Sequence, residues 1–391
     1  MGLNDTPSSQ RIHIAFFGCR NVGKSSLVNA VTGQELAVVS DVKGTTTDPV
    51  IKSMELLPLG PVCIIDTPGI DDEGELGAKR IDKTLRTLAK TDIAVLVADS
   101  TQELNKFDES MIESFKTAKI PFIIAYNKCD LALKNDLKDN EINVSAADGT
   151  NVYELKEMIG KTTPNCNTES RMIGDLISED DIAVLVTPID AAAPKARMIL
   201  PQQMAIRDVL DSDGIAVVTK ETQLQKTLAS LGEKPKIVVT DSQAFAFVST
   251  IVPQDVPLTS FSILMARYNG YLDMALDAIK ALENLKDGDT VLIAEGCTHH
   301  RQCGDIGTVK IPKALKKCTG KELNIKVCSG LEFPDDMSGI SLVVHCGGCM
   351  LNRREVKSRM DRADIQDVPV TNYGILLAHA AGILKRSIAM L

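Results

Sequence analysis

Apolar positions between residues 11 and 160 fall in short β-branched runs, and these alternate with stretches of helical spacing. The runs predict strands at Ile12–Phe17, Val62–Asp66, Ile93–Ala98 and Phe122–Tyr126. The helical spacing predicts Lys24–Val31, Gly77–Ala89, Phe107–Lys116 and Val152–Ile159. Strand and helix in alternation imply a mostly parallel sheet with helices on both faces. Residues 161–170 are polar and turn-rich and read as a linker. The alternation then resumes. Strands fit Ile182–Thr187, Ile215–Thr219, Ile237–Thr240 and Leu258–Phe261, with helices at Gln202–Leu210, Thr222–Leu231 and Ser242–Ile251. A third stretch gives a helix at Tyr268–Leu285 and strands at Thr290–Glu295, Leu323–Val327, Ser341–His345 and Val368–Thr371. Ile375–Leu391 reads as an amphipathic core helix, because His379, Lys385 and Arg386 interrupt its apolar run.

A chain of 391 residues with 44% hydrophobic content can bury two or three such cores. A net charge of −9, 4% aromatic residues and no tryptophan argue against a nucleic-acid partner, which needs a basic face and stacking platforms. The first ten residues lack an apolar core, and no run reaches membrane-spanning length, so the expected location is cytoplasmic with no membrane partner. Ten cysteines in a reducing compartment stay free or bind metal. Six of them crowd between Cys297 and Cys349.

Gly18-Cys-Arg-Asn-Val-Gly23-Lys24-Ser25 follows a predicted strand and opens a predicted helix. Glycines there let backbone N–H groups approach phosphate oxygens, and the helix N-terminus favours the negative charge. Asn21, Val22, Gly23 and Ser26 belong to the same phosphate-binding turn. Lys24 is placed to reach the outer phosphates and the Ser25 hydroxyl to bind Mg2+. Asp66-Thr-Pro-Gly69 ends the next strand, where the Asp66 carboxylate can hold Mg2+ through water and the Gly69 N–H can sense the γ-phosphate. Between them lies Gly44-Thr45-Thr46-Thr47-Asp48. Thr46 is favoured to complete the Mg2+ shell, though spacing alone does not separate it from Thr45.

Asn127-Lys128-Cys129-Asp130 sets base choice. Asp130 can accept two hydrogen bonds from guanine N1–H and its amino group, a donor pair that adenine lacks. Ser145-Ala146 fits the loop that contacts the guanine carbonyl. Four motifs in this order specify GTP binding, so residues 1–165 read as a P-loop GTPase domain, followed by two smaller α/β domains with mostly parallel sheets, 171–262 and 263–391.

A second constellation lies near the other end. Cys297-Thr-His299 and His345-Cys346-Gly-Gly-Cys349 follow two predicted strands, and sites of open α/β sheets sit beyond strand carboxyl ends. Cys346 and Cys349 can bind one metal centre from a single turn, and Cys297 supplies a third thiolate. Three thiolates suit an iron–sulfur cluster with one iron left for a different ligand, His345 or His299. A structural zinc site of Cys3His type uses the same residues, and a Cys-Gly-Gly-Cys redox pair is a third reading.

The nucleotide motifs resemble those of translation-factor-like GTPases of the tRNA-modification and ribosome-assembly (TrmE/Era) type. In that group an asparagine in the position of Asn21 goes with potassium-stimulated hydrolysis. Ile70 stands where Ras-like proteins place a water-orienting glutamine, so hydrolysis is expected to be slow without K+ or a partner. The combination of this domain with CxH…HCxxC, and with the segments Thr187–Asp190, Leu200–Gln203 and Ile206–Leu210, resembles the FeFe-hydrogenase maturation GTPases over essentially the whole chain. The resemblance implies a 4Fe-4S cluster on Cys297, Cys346 and Cys349 and a homodimer formed through the middle domain. It also implies a carrier role: a transient di-iron precursor is received from radical S-adenosylmethionine maturases and passed to apo FeFe-hydrogenase. The competing reading is a tRNA-modification or ribosome-assembly GTPase with structural zinc.

Overall fold

The computed structural model describes residues 6–33, 49–69, 83–162, 171–188, 198–296, 305–330 and 332–391. They belong to two compact units, Met1–Thr168 and Glu169–Leu391. Thr45, Thr46, Ile70, Cys297 and His299, the first part of the helix expected at Gly77–Ala89 and most of the expected linker lie outside the described residues.

The first unit contains strands β1 (Ile12–Phe17), β2 (Val50–Leu56), β3 (Gly60–Asp66), β4 (Ile93–Asp99), β5 (Phe122–Asn127) and β6 (Glu141–Asn143). They form one sheet in the order β2-β3-β1-β4-β5-β6. All neighbours pair in parallel except β2 with β3, which are antiparallel. Sequence patterning does not anticipate β2. Ile51, Ser53 and Glu55 face solvent while the residues between them are better covered, the alternation of an edge strand. β1 and β4, by contrast, are buried almost end to end because helices cover both faces.

On one face Leu27 and Val31 of α1 (Lys24–Thr32) and Leu155 and Ile159 of a later helix (Val152–Thr162) cover Ile14, Phe16, Ile64 and Val95. On the other, α2 (Lys106–Thr117) places Met111 and Phe115 against Phe17, Leu96 and Ile124. Each such side chain contributes roughly 1.5–3 kcal/mol by leaving water. Asn105 starts α2: it accepts the Phe107 and Asp108 N–H groups, and the Asp108 carboxylate returns to the Asn105 N–H. The helix at Val152–Thr162 is α3.

The second unit holds two four-stranded parallel sheets. β7 (Ile182–Val186), β8 (Ile215–Thr219), β9 (Ile237–Thr240) and β10 (Leu258–Ser260) are ordered β10-β9-β7-β8. β11 (Thr290–Glu295), β12 (Asn324–Ser329), β13 (Leu342–His345) and β14 (Val370–Asn372) are ordered β12-β11-β13-β14. The helices are α4 (Leu200–Leu210), α5 (Leu224–Ser230), α6 (Phe245–Ile251), α7 (Phe261–Tyr268), α8 (Leu272–Asp277), α9 (Ile311–Thr319), α10 (Arg353–Ile365), α11 (Tyr373–Ala380) and α12 (Leu384–Ser387).

The two sheets share a core, in which Val184, Val238 and Phe245 belong to the same apolar cluster as Val291, Ile293 and Val344. Helix α7 joins them. Its Phe261, Leu264 and Met265 pack with Ala183 and Leu185, while Ile263 and Ala266 join the shared cluster. The border expected between residues 262 and 263 therefore runs through α7.

Two helix expectations need correction. The continuous helix at Tyr268–Leu285 is instead α7, α8 and a 3-10 turn at Ala278–Asn284. Asn269 caps α7, and Gly270 at φ 78° takes a left-handed conformation that cannot continue a helix. Ser260 begins α7 by accepting the Ile263 N–H. Likewise Ile375–Leu391 breaks into α11 and α12, at Gly382 with φ 74°.

Candidate functional site

The nucleotide motifs assemble where β1 and β3 end side by side, with Phe16 opposite Asp66 in the register. Gly18, at φ 154°, has no room for a side chain, since a Cβ there would lie 2.4 Å from the Val97 carbonyl oxygen. Gly23 caps α1 at φ 81°, and its Cβ would lie 2.3 Å from Asn127 Nδ2. Both glycines are thus fixed by close approach as well as by backbone shape. Asn21 turns at φ 62° in the middle of the loop, and Val22 is buried beneath it.

Lys24 and Asp66 are both buried, and Lys24 Nζ donates to Asp66 Oδ1 at 2.7 Å. Ser25 Oγ donates to Asp66 Oδ2 at 2.6 Å. The hydroxyl and carboxylate assigned to Mg2+ are therefore neighbours, and hard oxygen donors of this kind fit that ion. Mg2+ held there would neutralise charge on the transferring phosphoryl group. Ser26 follows in the first turn of α1, and the Gly69 backbone lies against Arg20 of the loop.

The base-recognition motif is tied to the phosphate loop by one side chain. Asn127 Nδ2 donates to the Val22 carbonyl at 2.9 Å, and Asn127 Oδ1 accepts the Ala146 N–H at 3.0 Å. Asn127 thereby links its own motif to the phosphate loop and to the Ser145-Ala146 segment. Ser145 is fully buried and its Oγ accepts the Asp148 N–H, while Asp130 is exposed at the rim. Lys128, at φ 66°, donates to Asp99 at the end of β4. Burial works against ionisation of Asp99, but hydrogen bonds from Lys128 and Thr101 hold it below the ordinary carboxylate range. Sequence reading misses Asp99, although its place at a strand carboxyl end is the available signal.

The cysteine site lies at the carboxyl ends of β11 and β13, where Ala294 is opposite His345. The Cys346 N–H donates to the Ala294 carbonyl at 2.9 Å. Cys346 Sγ accepts the Gly296 N–H at 3.0 Å and the Gly348 N–H at 3.3 Å. Gly348 reaches this geometry at φ 69°. Burial raises the Cys346 thiol, and the two amides and Arg359 oppose that rise. Gly296 directly precedes Cys297 in the chain, so the amide touching Cys346 belongs to the neighbour of the third cysteine. Cys349 closes the same turn. Thiol donors suit a soft metal centre, and N–H bonds to sulfur, as at Cys346, are among the contacts that tune thiolate-bound clusters. Among the described residues, no group of three or more His, Cys, Asp or Glu side chains stands in metal-binding proximity.

Sequence models of known families match three stretches of the chain. A "50S ribosome-binding GTPase" family matches residues 13–128. "Hydrogen maturase F dimerization domain" matches residues 172–270, and "Hydrogen maturase F tetramerization domain" matches 273–390. The chain belongs to the hydrogen maturase F family.

Curated relatives match about two fifths of this chain. "GTPase Der" of Wolinella succinogenes is 36% identical over 181 residues, covering 42% of this chain and 38% of that protein. "tRNA modification GTPase MnmE" of Helicobacter pylori is 40% identical over 175 residues, covering 41% of this chain and 37% of that protein. The chain thus spans less than two fifths of these relatives' length. Among solved structures, Aquifex aeolicus Era bound to GDP and AlF4 is similar with 17% identity and a TM-score of 0.35, covering 56% of this chain and 98% of that one. The first unit of the maturase is a P-loop GTPase domain, and mixed α/β units follow it. No helix among the described residues is long and apolar enough to cross a membrane.

Around the maturase's cysteine turn lies a buried polar layer that sequence reading misses. Glu295, on β11, is 3% exposed, and the Tyr373 hydroxyl donates to its Oε1 at 3.5 Å. Gly307 fits over this pair because a Cβ would stand 2.4 Å from the Glu295 oxygen. His345 is fully buried on β13, and burial depresses its imidazole to about 4. Arg359 of α10 approaches His345 from the adjoining helix.

Proposed function

We propose that this maturase is a GTP-hydrolysing scaffold and carrier for the di-iron subcluster of FeFe-hydrogenase. In this reading Cys297, Cys346 and Cys349 hold a 4Fe-4S cluster with an exchangeable fourth ligand. The observation that carries it is the Cys346 sulfur, which accepts N–H bonds from Gly348 in its own turn and from Gly296, the residue before Cys297. Strand register thus supports three thiolates at one sheet edge. When bound, the cluster supplies a site at which a di-iron unit can be anchored. The chain's own part is to hold three thiolates, to donate backbone N–H bonds to them and to shield them from one side.

GTP hydrolysis uses Lys24, Asp66, Gly69 and Thr46, with base choice by Asp130. Potassium at Asn21 compensates for the absence of a glutamine after Asp66-Thr-Pro-Gly69. Hydrolysis drives exchange of partners rather than metal chemistry. The motifs of the two sites lie in separate units. The partners are radical S-adenosylmethionine maturases, which deliver the di-iron precursor, and apo FeFe-hydrogenase, which receives it, in the cytoplasm.

The dimer forms through residues 171–262, with residues 263–391 carrying the cluster. Support comes from β8, which is an edge of its sheet and exposes Ile215 and Val218, each 45% exposed. A second copy could pair with that edge.

The test is transfer. The protein is isolated after expression with the maturases and mixed with apo-hydrogenase, and hydrogen evolution is recorded. Activation by the wild type, and its loss in Cys346→Ser, is the expected result. Equal activation by both would overturn the proposal. Salt-sensitive submicromolar binding of tRNA would favour the tRNA-modification reading suggested by the name of the Helicobacter relative.

A further inference from the structure

His345 begins the HCxxC segment, yet both of its ring nitrogens are engaged inside the protein. Nδ1 lies 2.7 Å from the Cys346 carbonyl oxygen. Nε2 lies 3.4 Å from Arg359 Nη1. A guanidinium has donors only, so Nε2 is the acceptor of that bond. A neutral imidazole that accepts at Nε2 carries its proton at Nδ1, and Nδ1–H then donates to the Cys346 carbonyl. The two contacts demand the same tautomer, and together they use the lone pair that an iron would need.

Arg359 is itself fixed. It is 3% exposed, donates through Nη2 to the Gly330 carbonyl and to Glu355 Oε1 at 2.8 Å, and lies over the Phe333 ring at 5.2 Å. The Phe333 ring also packs against the His345 ring. Turning His345 toward the cysteines would leave a buried guanidinium hydrogen without its acceptor.

We infer that Arg359 is a positioning residue: it holds His345 as a hydrogen-bond bridge behind the cysteine turn, so that His345 is not an iron ligand. The fourth iron then takes its ligand from outside HCxxC. The buried guanidinium also places a positive charge beside a turn that gathers thiolates, as outer-layer groups around metal centres do. This rests on the cluster reading proposed above, and it deepens that reading by removing one of its two histidine candidates.

The experiment uses full-length protein labelled with 15N-histidine, reconstituted with iron and sulfide without oxygen, reduced, and studied by pulsed EPR. Wild type, His345→Asn, Arg359→Met and Arg359→Lys are compared. Any directly bound histidine nitrogen seen in wild type is expected to persist in His345→Asn, with iron content unchanged. Arg359→Met frees the imidazole and is expected to add a directly bound nitrogen, and Arg359→Lys is expected to return the wild-type spectrum. A bound nitrogen that vanishes in His345→Asn would overturn the inference. So would an Arg359→Met spectrum identical to wild type.

Failure of wild type to assemble any cluster sinks the scaffold reading instead. The geometry is then decided in the protein as isolated, from the long-range 15N–1H pattern of His345. Protonation at Nδ1 alone supports the inference, and a proton on Nε2 contradicts it. If Arg359→Met does not fold, the wild type and His345→Asn comparison decides alone.

Discussion

The nucleotide site and the cysteine site obey one rule of placement and differ in how they are encoded. Both sit where adjacent parallel strands end, β1 with β3 in one unit and β11 with β13 in the other. In the first unit each motif is a contiguous word, and the loop itself forms the binding surface through glycines and backbone N–H groups. In the second, the two cysteine segments are separated by a long stretch of chain, and only the Ala294–His345 register sets the strand ends that precede them side by side. Hard phosphate oxygens need many N–H donors from one loop, whereas a soft metal needs a few thiolates from different elements. The phosphate loop is therefore local, although the rest of the nucleotide site also needs the folded sheet, and the cysteine segments depend on the sheet throughout.

The sharpest way to break this separation is a pair of substitutions. Lys24→Ala removes the buried cation paired with Asp66 and is expected to cut GTP hydrolysis by about 10²–10³-fold while iron incorporation stays intact. Cys346→Ser is expected to lose most of the iron while the hydrolysis rate changes less than about twofold. Phosphate release and iron analysis on the same preparations check both. Loss of iron in Lys24→Ala would show that the two sites are chemically coupled.

A next effect concerns assembly. Val218→Lys puts a charge on the exposed edge strand β8 and is expected to weaken the dimer by about a hundredfold or more. Sedimentation across a concentration series reads this directly. An unchanged dimer would move the interface away from β8.

A smaller effect separates the units by pH. Burial lowers His13 to about 4 from an ordinary 6.5, against a hydrogen bond to the Arg11 carbonyl, with Lys90 adding to the fall. The unfolded chain then binds the proton at higher pH than the folded one, so stability present above 6.5 is lost as pH falls toward 4. The first unit is expected to lose on the order of 2 kcal/mol between pH 7 and pH 5. Hydrogen exchange of β1 amides, corrected for intrinsic rates, should show this loss and should show less of it in His13→Phe. The least pronounced contrast is ionic: hydrolysis is expected to be severalfold faster in potassium than in sodium at equal ionic strength, and equal rates would remove the role proposed for Asn21.

How much the sequence discloses follows the same division. β1 and β11 match their expected bounds because apolar runs flanked by polar residues signal buried strands without help from the fold. Gly18, Gly23, Lys24 and Asp66 are legible because each is fixed by a short, contiguous pattern. What stays hidden depends on contacts between distant elements. Gly270 and Gly382 break helices that apolar periodicity alone would continue. α7 divides its faces between two cores, so the border expected within it has no compositional mark. The link from Arg359 to His345 joins a helix to a strand, and nothing in either local sequence announces it.

The most direct test of the account is the metal content and EPR of the whole protein, purified without oxygen and reconstituted with iron and sulfide. About four irons and four sulfides per chain, with a reduced 4Fe-4S signal that disappears in Cys297→Ser, is the predicted result. One zinc per chain and no iron-dependent signal would contradict it, and would make the cysteine site a structural zinc centre beside an ordinary GTPase domain.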